Sequence, residues 1–147
     1  MHHFSYNEGN LFCEEVDIKK IADVVGTPLY VYSHATLKRH FEAFDGSFAQ
    51  APHIVCYSVK ANSNLSVLRL FSELGGGADI VSGGELFRAV KAGIEPGKIV
   101  YSGVGKRDDE MEYALREEIL MFNVESRQEL ERLNKVAGKM GKHARIA

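Results

Sequence analysis

The stretch GADIVSGGEL, residues 77–86, passes from a short apolar strand directly into the start of a helix. Its first half suits a buried strand, and the Ser-Gly-Gly-Glu that follows suits a strand-to-helix loop. Further strand candidates of this kind lie at 29–33, 53–59, 98–102, 120–124 and 143–147. Apolar residues recur between them at the three- and four-residue spacing of amphipathic helices, in the sets Leu37/Phe41/Phe44/Phe48, Leu65/Leu68/Phe71/Leu74, Leu86/Val90, Met111/Leu115 and Leu130/Leu133/Ala137/Met140.

The strand starts lie 20 to 25 residues apart, which predicts an α/β fold of parallel strands joined by right-handed helical crossovers. A doubly wound sheet and a (β/α)8 TIM-type barrel both fit this spacing. The first strand-to-helix turn lacks the G-x-G-x-x-G of a dinucleotide-binding sheet, and the strands are short and evenly spaced, so we favour the barrel. Because a complete barrel needs about 250 residues, we expect only its first half here. Residues 1–28 break the pattern and read as a lead-in with a short helix near 18–25.

Composition excludes several classes of partner and site. Hydrophobic residues make up 45% of the 147 residues, and 18 basic and 20 acidic residues give a net charge of -2, so we expect neither a nucleic-acid nor a membrane partner. The sequence has no membrane-length apolar run and no secretory leader pattern. Its six histidines lack metal-ligand spacing, and its two cysteines, Cys13 and Cys56, form no C-x-x-C pair. These features predict a cytoplasmic protein without a metal.

Lys60 follows an apolar strand, where an unpaired ammonium group is costly to bury. Alternation along the strand places Ser58 and Lys60 on one face and Tyr57 and Val59 on the other. If the first face is the barrel interior, Ser58 and Lys60 lie at the mouth where barrel active sites form. Lys60 is then either an ion-pair partner or an amine that forms a Schiff base with a carbonyl group.

Asp79 lies inside the next strand, where a carboxylate is a poor strand former and needs a partner if it is buried. Lys60 or another cation at the mouth would provide one, and a solvated position at the strand start is the alternative. In the loop that follows, Ser82 and Glu85 have the spacing of a capping box, while two glycines and the free amides of a helix N-terminus also suit an anion. Both interpretations can hold together.

Three other segments carry weaker signals. The glycine run at 75–77 follows a helix and indicates helix termination on the face opposite a barrel active site. The Gly-Val-Gly-Lys at 103–106 lies on the active-site face but lacks P-loop spacing. Ser126 with Glu129 resembles the capping arrangement of the last helix, and Asn123 or Glu125 before it could face a substrate.

Four motifs in chain order resemble the diaminopimelate decarboxylase family: GTPLYVY at 26–32, YSVKAN at 57–62, GADIVSGGEL at 77–86 and NVES at 123–126. The resemblance covers nearly the whole chain. The V-K-A-N lysine alone would indicate only the fold-type III pyridoxal-phosphate proteins, which include alanine racemase. The D-I-V-S-G-G-E-L stretch resembles the decarboxylase branch specifically.

This resemblance implies that Lys60 holds pyridoxal 5'-phosphate as a Schiff base, with Asp79 and Ser58 beside the cofactor. The implied reaction is decarboxylation of meso-diaminopimelate to L-lysine, with the cofactor as electron sink. Residues 1–33 would belong to a separate β domain and residues 34–147 to the first half of the cofactor-binding barrel of a homodimer. The ring-stacking histidine and the phosphate-binding glycine loop of the family would lie beyond residue 147, so we expect this piece alone to be inactive.

Three alternatives stay open at the level of the sequence. One is a related decarboxylase that acts on ornithine, arginine or carboxynorspermidine. Another is a non-catalytic barrel that binds only the cofactor or a protein partner. The third is an aldolase that forms a lysine Schiff base without a cofactor.

Overall fold

A three-stranded antiparallel sheet opens the chain in the computed structural model, which describes residues 2–147. Glu8 and Gly9 join its first two strands in a tight turn, and both have positive φ, 49° and 81°, as such two-residue turns require. The sheet belongs to a compact unit that ends at Phe48, and a second unit spans Ala49–Ala147. The first unit consists of β1 (Phe4–Asn7), β2 (Asn10–Cys13), β3 (Val16–Asp17), α1 (Ile18–Val25) and α2 (His34–Gly46).

Glu14 attaches the start of α2 to the turn between β2 and β3. Its Oε1 accepts hydrogen bonds from the Ser33 hydroxyl at 2.7 Å and from the Ala35 amide at 2.9 Å. These two hydrogen bonds hold the pKa of Glu14 below its usual value. Ser33 also caps the helix, because its hydroxyl accepts from the Thr36 amide at 3.0 Å.

The strand predicted at 29–33 is wrong, whereas the predicted short helix is confirmed as α1. Residues 29–32 have no regular structure, Ser33 is the N-cap of α2, and Tyr30 is 91% exposed. An aromatic and β-branched run becomes a strand only where another strand pairs with it, because its propensity reflects packing against neighbours.

The second unit alternates strands and helices, as predicted. Its strands are parallel and pair in chain order, and Cα partners at each junction lie 21 residues apart, as in Cys56 with Gly77, Ala78 with Ile99 and Val100 with Met121. Its elements are β4 (Cys56–Ser58), α3 (Leu65–Glu73), β5 (Gly77–Ile80), α4 (Gly83–Lys91), β6 (Ile99–Tyr101), α5 (Asp108–Glu117), β7 (Met121–Phe122) and α6 (Arg127–Met140), with 3₁₀ turns at Val59–Ala61 and Pro96–Lys98.

This sequential order of parallel neighbours is the order of a (β/α)8 barrel, since a doubly wound sheet reverses its order at a switch point. The predicted fold class is therefore confirmed, with a partial barrel present in this chain. The strands are shorter than predicted. The strand expected at 143–147 forms only a single parallel bridge, between Ile146 and Phe122.

The hydrophobic core lies between one face of this sheet and helices α3 to α6. We call this face the outer face and the opposite one the inner face. The core side chains of the outer face are at most 1% exposed: Ala78, Ile80, Ile99, Tyr101 and Phe122. They belong to one cluster with apolar residues of the four helices, among them Leu68, Leu86, Met111 and Leu133.

Capping residues define the ends of the helices near the predicted positions. The hydroxyls of Ser82 and Ser126 accept hydrogen bonds from the amides three residues later, each at 3.2 Å. Gly75 has a φ of +84° just after α3, which confirms the predicted glycine termination. Within residues 2–147, every helix is too short or too polar to traverse a lipid bilayer.

Candidate active site

Four polar side chains form a row along the inner face, one at or just beyond the C-terminal end of each parallel strand. They are half-buried, and they are Ser58, Asp79, Ser102 and Asn123. The register pairs Ser58 directly with Asp79, and side-chain alternation brings Ser102 and Asn123 to the same face. The C-terminal ends of the strands are where barrels carry their active sites.

Hydrogen bonds connect the whole row and converge on Asp79. The Ser58 hydroxyl donates to Oδ2 of Asp79 at 2.9 Å, and the Ser102 hydroxyl donates to Oδ1 at 2.5 Å. Asn123 Nδ2 donates in turn to Ser102 Oγ at 3.0 Å. Each hydroxyl proton is thus committed to the carboxylate, whose charge strengthens both bonds.

The ion pair that the sequence suggested for Asp79 is not formed. Within residues 2–147, the carboxylate of Asp79 makes no salt bridge to Lys60 or to another cation, and its two oxygens accept from hydroxyl groups. Two hydroxyl donors satisfy a half-buried carboxylate without a neighbouring positive charge. Asp79 therefore needs no salt bridge at its position near the end of β5.

Lys60 lies on the 3₁₀ turn that follows β4, at the same end of the sheet as the polar row. The alternation that placed it on the face of Ser58 is wrong in detail, because the strand ends at Ser58. Val59 then enters the core with 0% exposure, and Lys60 is exposed. Among the described residues, the Lys60 amine has no hydrogen-bond or ion-pair partner. It is a primary amine available for reaction.

The N-terminus of α4 is occupied by protein groups. The Gly83 amide donates to Glu110 Oε1 at 2.8 Å, and the Glu85 amide donates to Ser82 Oγ. The Glu85 carboxylate accepts from the Val81 amide at 2.8 Å, so the reciprocal half of the predicted capping box is displaced by one residue. This geometry favours the capping interpretation of the loop over the anion-binding one.

Sequence reasoning missed Ser102 and a buried ion pair behind the row. Alternation along the strand at 98–102 could have shown that Ser102 faces inward with Val100. Lys106 and Glu129 form the ion pair, 2.6 Å apart, and no local pattern connects residues 23 positions apart. Since the Lys106 side chain is 0% exposed, the Gly-Val-Gly-Lys segment cannot present it to a phosphate.

Comparison with known proteins assigns the chain to a family. Residues 34–147 match the family model described as "Pyridoxal-dependent decarboxylase, pyridoxal binding domain". The chain belongs to the pyridoxal-dependent decarboxylase family. The resemblance inferred from the four sequence motifs is confirmed.

Members of the family are similar to this chain over 88% to 99% of its length. A diaminopimelate decarboxylase of Aquifex aeolicus is 57% identical over 99% of this chain and 34% of its own length. A crystal structure from Aquifex aeolicus superposes with a TM-score of 0.93, at 56% identity over 99% of this chain and 36% of that one. The diaminopimelate decarboxylase of Helicobacter pylori complexed with L-lysine has a TM-score of 0.83 at 44% identity, covering 88% and 33%. The chain thus spans about a third of the length of these relatives.

The residues present fit the cofactor of this family, pyridoxal phosphate. An aldehyde needs a primary amine for covalent attachment, and Lys60 offers one without a competing partner. The polar row beside it presents hydroxyl, carboxylate and amide groups on the half-buried inner face. The amides of Gly83 and Glu85 already have protein acceptors, so they are poor candidates for the cofactor's phosphate.

Proposed function

We propose that this chain is the N-terminal third of an enzyme that decarboxylates meso-diaminopimelate to L-lysine with pyridoxal 5'-phosphate. The observation that carries the proposal is the unpartnered amine of Lys60 at the same sheet end as the Asp79 row, inside the segment that matches the family. The names of the similar proteins and the L-lysine bound to one of them support the choice of substrate.

Lys60 and Asp79 carry the proposed chemistry, and two hydroxyl groups support Asp79. Pyridoxal phosphate, when bound, supplies a ring that accepts the electron pair left by the departing carbon dioxide. Lys60 Nζ would hold the cofactor aldehyde covalently, and once displaced by the substrate amine it would be free to donate a proton to the carbon that has lost carbon dioxide. Asp79 presents a carboxylate whose orientation is fixed by the hydroxyls of Ser58 and Ser102. Such preorganised charge needs no rearrangement during the reaction.

Domain boundaries at 1–33 and 34–147 are part of this proposal. The antiparallel sheet β1 to β3 supports a separate β domain, and the family match begins at residue 34. The proposed boundary assigns helix α2 to residues 34–147, whereas in the structure this helix lies in the compact unit that ends at Phe48. Its hydrogen bonds to Glu14 explain that placement.

Assembly as a homodimer and a cytoplasmic location complete the proposal. The family resemblance supports the homodimer, and light scattering of the full-length protein tests it. Cys13 and Cys56 are both free thiols, which suits a reducing compartment.

The decisive experiment uses the full-length protein. We expect wild-type enzyme to release carbon dioxide from meso-diaminopimelate and to keep a cofactor adduct on Lys60 after borohydride reduction and peptide mapping. Lys60→Ala should lose both, whereas the control Lys135→Ala, on the exposed side of α6, should keep both.

Two results would redirect this assignment. Turnover of ornithine, arginine or carboxynorspermidine in preference to diaminopimelate would change the substrate and leave the cofactor chemistry intact. A wild-type protein that binds no pyridoxal phosphate would remove the proposed function altogether.

A further inference from the structure

Lys106 carries a fully buried ammonium group behind the polar row of the inner face. We propose that Lys106 is a positioning residue, which fixes the orientation of the Asp79 carboxylate through Asn123 and Ser102. This inference rests on the proposed function, because Asp79 is taken there to lie beside the cofactor.

All three protons of the Lys106 ammonium have acceptors within the chain. Nζ donates to the carbonyl of Gly103 at 2.7 Å, to the carbonyl of Asn123 at 2.7 Å and to Oε1 of Glu129 at 2.6 Å. It also lies 5.6 Å from the centre of the Tyr101 ring. A lysine has three donors, so this group has no donor left for a ligand.

The three acceptors come from three different segments at the C-terminal end of the sheet. Gly103 belongs to the loop after β6, Asn123 directly follows β7, and Glu129 lies in the first turn of α6. One side chain therefore fastens two neighbouring strand-to-helix loops to each other and to a helix. A buried cation with fixed acceptors can hold these backbones in one relative position.

Asn123 transmits this constraint to the carboxylate. Its carbonyl accepts from Lys106, and its side-chain amide donates to Ser102 Oγ, which donates to Asp79 Oδ1. If the backbone of Asn123 shifts, its amide leaves Ser102, and the Ser102 hydroxyl is then free to rotate away from Asp79. Three successive hydrogen bonds thus connect Lys106 to Asp79.

Stability is a weak explanation for such a pair. Desolvation of two buried charges offsets much of their attraction, and apolar replacements of similar volume are often neutral or stabilising. Two methionines packed against the outer-face core could take the place of this ion pair without a loss of stability. The pair is therefore better explained by the geometry that it imposes.

The test compares five full-length variants, the four described here and Lys106→Met/Glu129→Met combined with Asn123→Ala, by their affinity for pyridoxal phosphate, titrated into the apo-protein, and by their unfolding midpoints. Lys106→Met removes the cation, and Lys106→Met/Glu129→Met removes both buried charges so that no lone carboxylate is left. Asn123→Ala breaks the transmitting bond. Lys142→Met is the matched control, because Lys142 also donates to a carbonyl, that of Leu115, and to a carboxylate, that of Glu118, but in the helix-to-strand connection at the opposite end of the sheet.

Positioning predicts roughly tenfold to hundredfold weaker cofactor binding in Lys106→Met/Glu129→Met, with an unfolding midpoint close to that of wild type. The same substitutions should change the affinity less than about twofold when Asn123 is already alanine, because the transmitting bond is gone. Lys142→Met should bind as wild type does.

Several outcomes would overturn the inference. A folded double-methionine variant with wild-type affinity would do so, as would effects of Lys106 and Asn123 that simply multiply. Failure of both Lys106 variants to fold would assign the pair to stability instead.

A crystal structure of the double-methionine variant separates this inference from the proposed function, since it requires no cofactor. Positioning predicts that Asn123 Nδ2 leaves hydrogen-bond distance of Ser102 Oγ in that variant. An unchanged bond refutes positioning even if the wild-type enzyme is active, and a wild-type protein that binds no cofactor refutes only the function.

Discussion

The two faces of the four-stranded sheet use one backbone for different purposes. Outer-face side chains such as Ile80 and Tyr101 are sealed under the helices, with no exposed surface. Inner-face neighbours one residue away, Asp79 and Ser102, stay half-buried and join a hydrogen-bond row. Because alternate residues of a strand point to opposite faces, a step of one residue separates stability from chemistry. Substitutions on the outer face should therefore change the stability of the fold, whereas substitutions on the inner face should change cofactor binding.

The largest effect is expected for Phe122→Ala on the outer face. Phe122 is 1% exposed and stacks on Tyr101, with ring centroids 5.8 Å apart. Its loss leaves a cavity and should lower the free energy of unfolding by about 3–5 kcal/mol, measured by urea denaturation of the full-length protein. The control Phe87→Ala removes a ring that is 59% exposed and should cost far less. Equal losses of unfolding free energy in the two variants would mean that burial does not determine the cost of removing these rings.

Gly77→Ala should be an exception to this division between the faces. Gly77 lies on the inner face with Asp79, yet its substitution should lower the stability of the fold. A Cβ at Gly77 would lie 2.1 Å from the backbone carbonyl oxygen of Lys98, which cannot move without disturbing β6. We expect a loss of roughly 1–3 kcal/mol or more in the free energy of unfolding. Gly97→Ala is the matched control, because nothing lies within 4 Å of its Cβ position. A wild-type unfolding midpoint for Gly77→Ala would show that the strand shifts to make room.

The sequence predicted the parts of this sheet that depend on local periodicity. The helices and the caps at Ser82 and Ser126 follow from spacing within a few residues, and the parallel class follows from the interval of 20 to 25 residues between strand starts. The strand at 29–33 failed because pairing depends on a distant partner, and the position of Lys60 failed because the strand ends at Ser58 and a 3₁₀ turn follows it. The roles of Lys60, Asp79 and Ser58 as cofactor ligands stay predictions.

Asp79→Asn should test the inner face separately from stability, because it changes the chemistry of the row and leaves the fold intact. The amide has nearly the same shape, but its NH2 group cannot accept a hydroxyl proton, so one of the bonds from Ser58 and Ser102 must rearrange. We expect about tenfold weaker binding of pyridoxal phosphate, equal to about 1.4 kcal/mol, by titration of the full-length apo-protein. Asp23→Asn, on the exposed α1, should bind as wild type does. Unchanged affinity in Asp79→Asn would place the carboxylate outside the cofactor site.

Tyr101→Phe is expected to have the smallest effect. Among the described residues, the buried Tyr101 hydroxyl makes no hydrogen bond of good distance and angle, although the Glu110 carboxylate lies nearby. Burial raises the pKa of this phenol, and the nearby charge of Glu110 raises it further, so its ionisation at alkaline pH opposes folding. Removing the hydroxyl should leave the free energy of unfolding unchanged or raise it by up to about 1 kcal/mol. Urea denaturation at neutral pH checks this, and a clear loss would reveal a partner for the hydroxyl.

The inner-face row shows where sequence reasoning stops. Ser58 was singled out because alternation predicted that it shares a face with Lys60, and Asp79 because a carboxylate inside an apolar strand needs a partner. Lys106 and Glu129 were not paired, since their contact spans two elements and exists only once α6 has docked. Long-range polar contacts carry no periodic signature, so only the folded chain displays them.

The 21-residue interval that separates partners at each strand junction has a consequence for biosynthesis. Every sheet pairing closes a loop of one helix and two short turns, so the entropic cost of loop closure is about the same at each of the three junctions. As the ribosome extends the polypeptide, each new strand meets the one made just before it. Each pairing from β4 towards β7 therefore needs only strands that have already been translated when it forms.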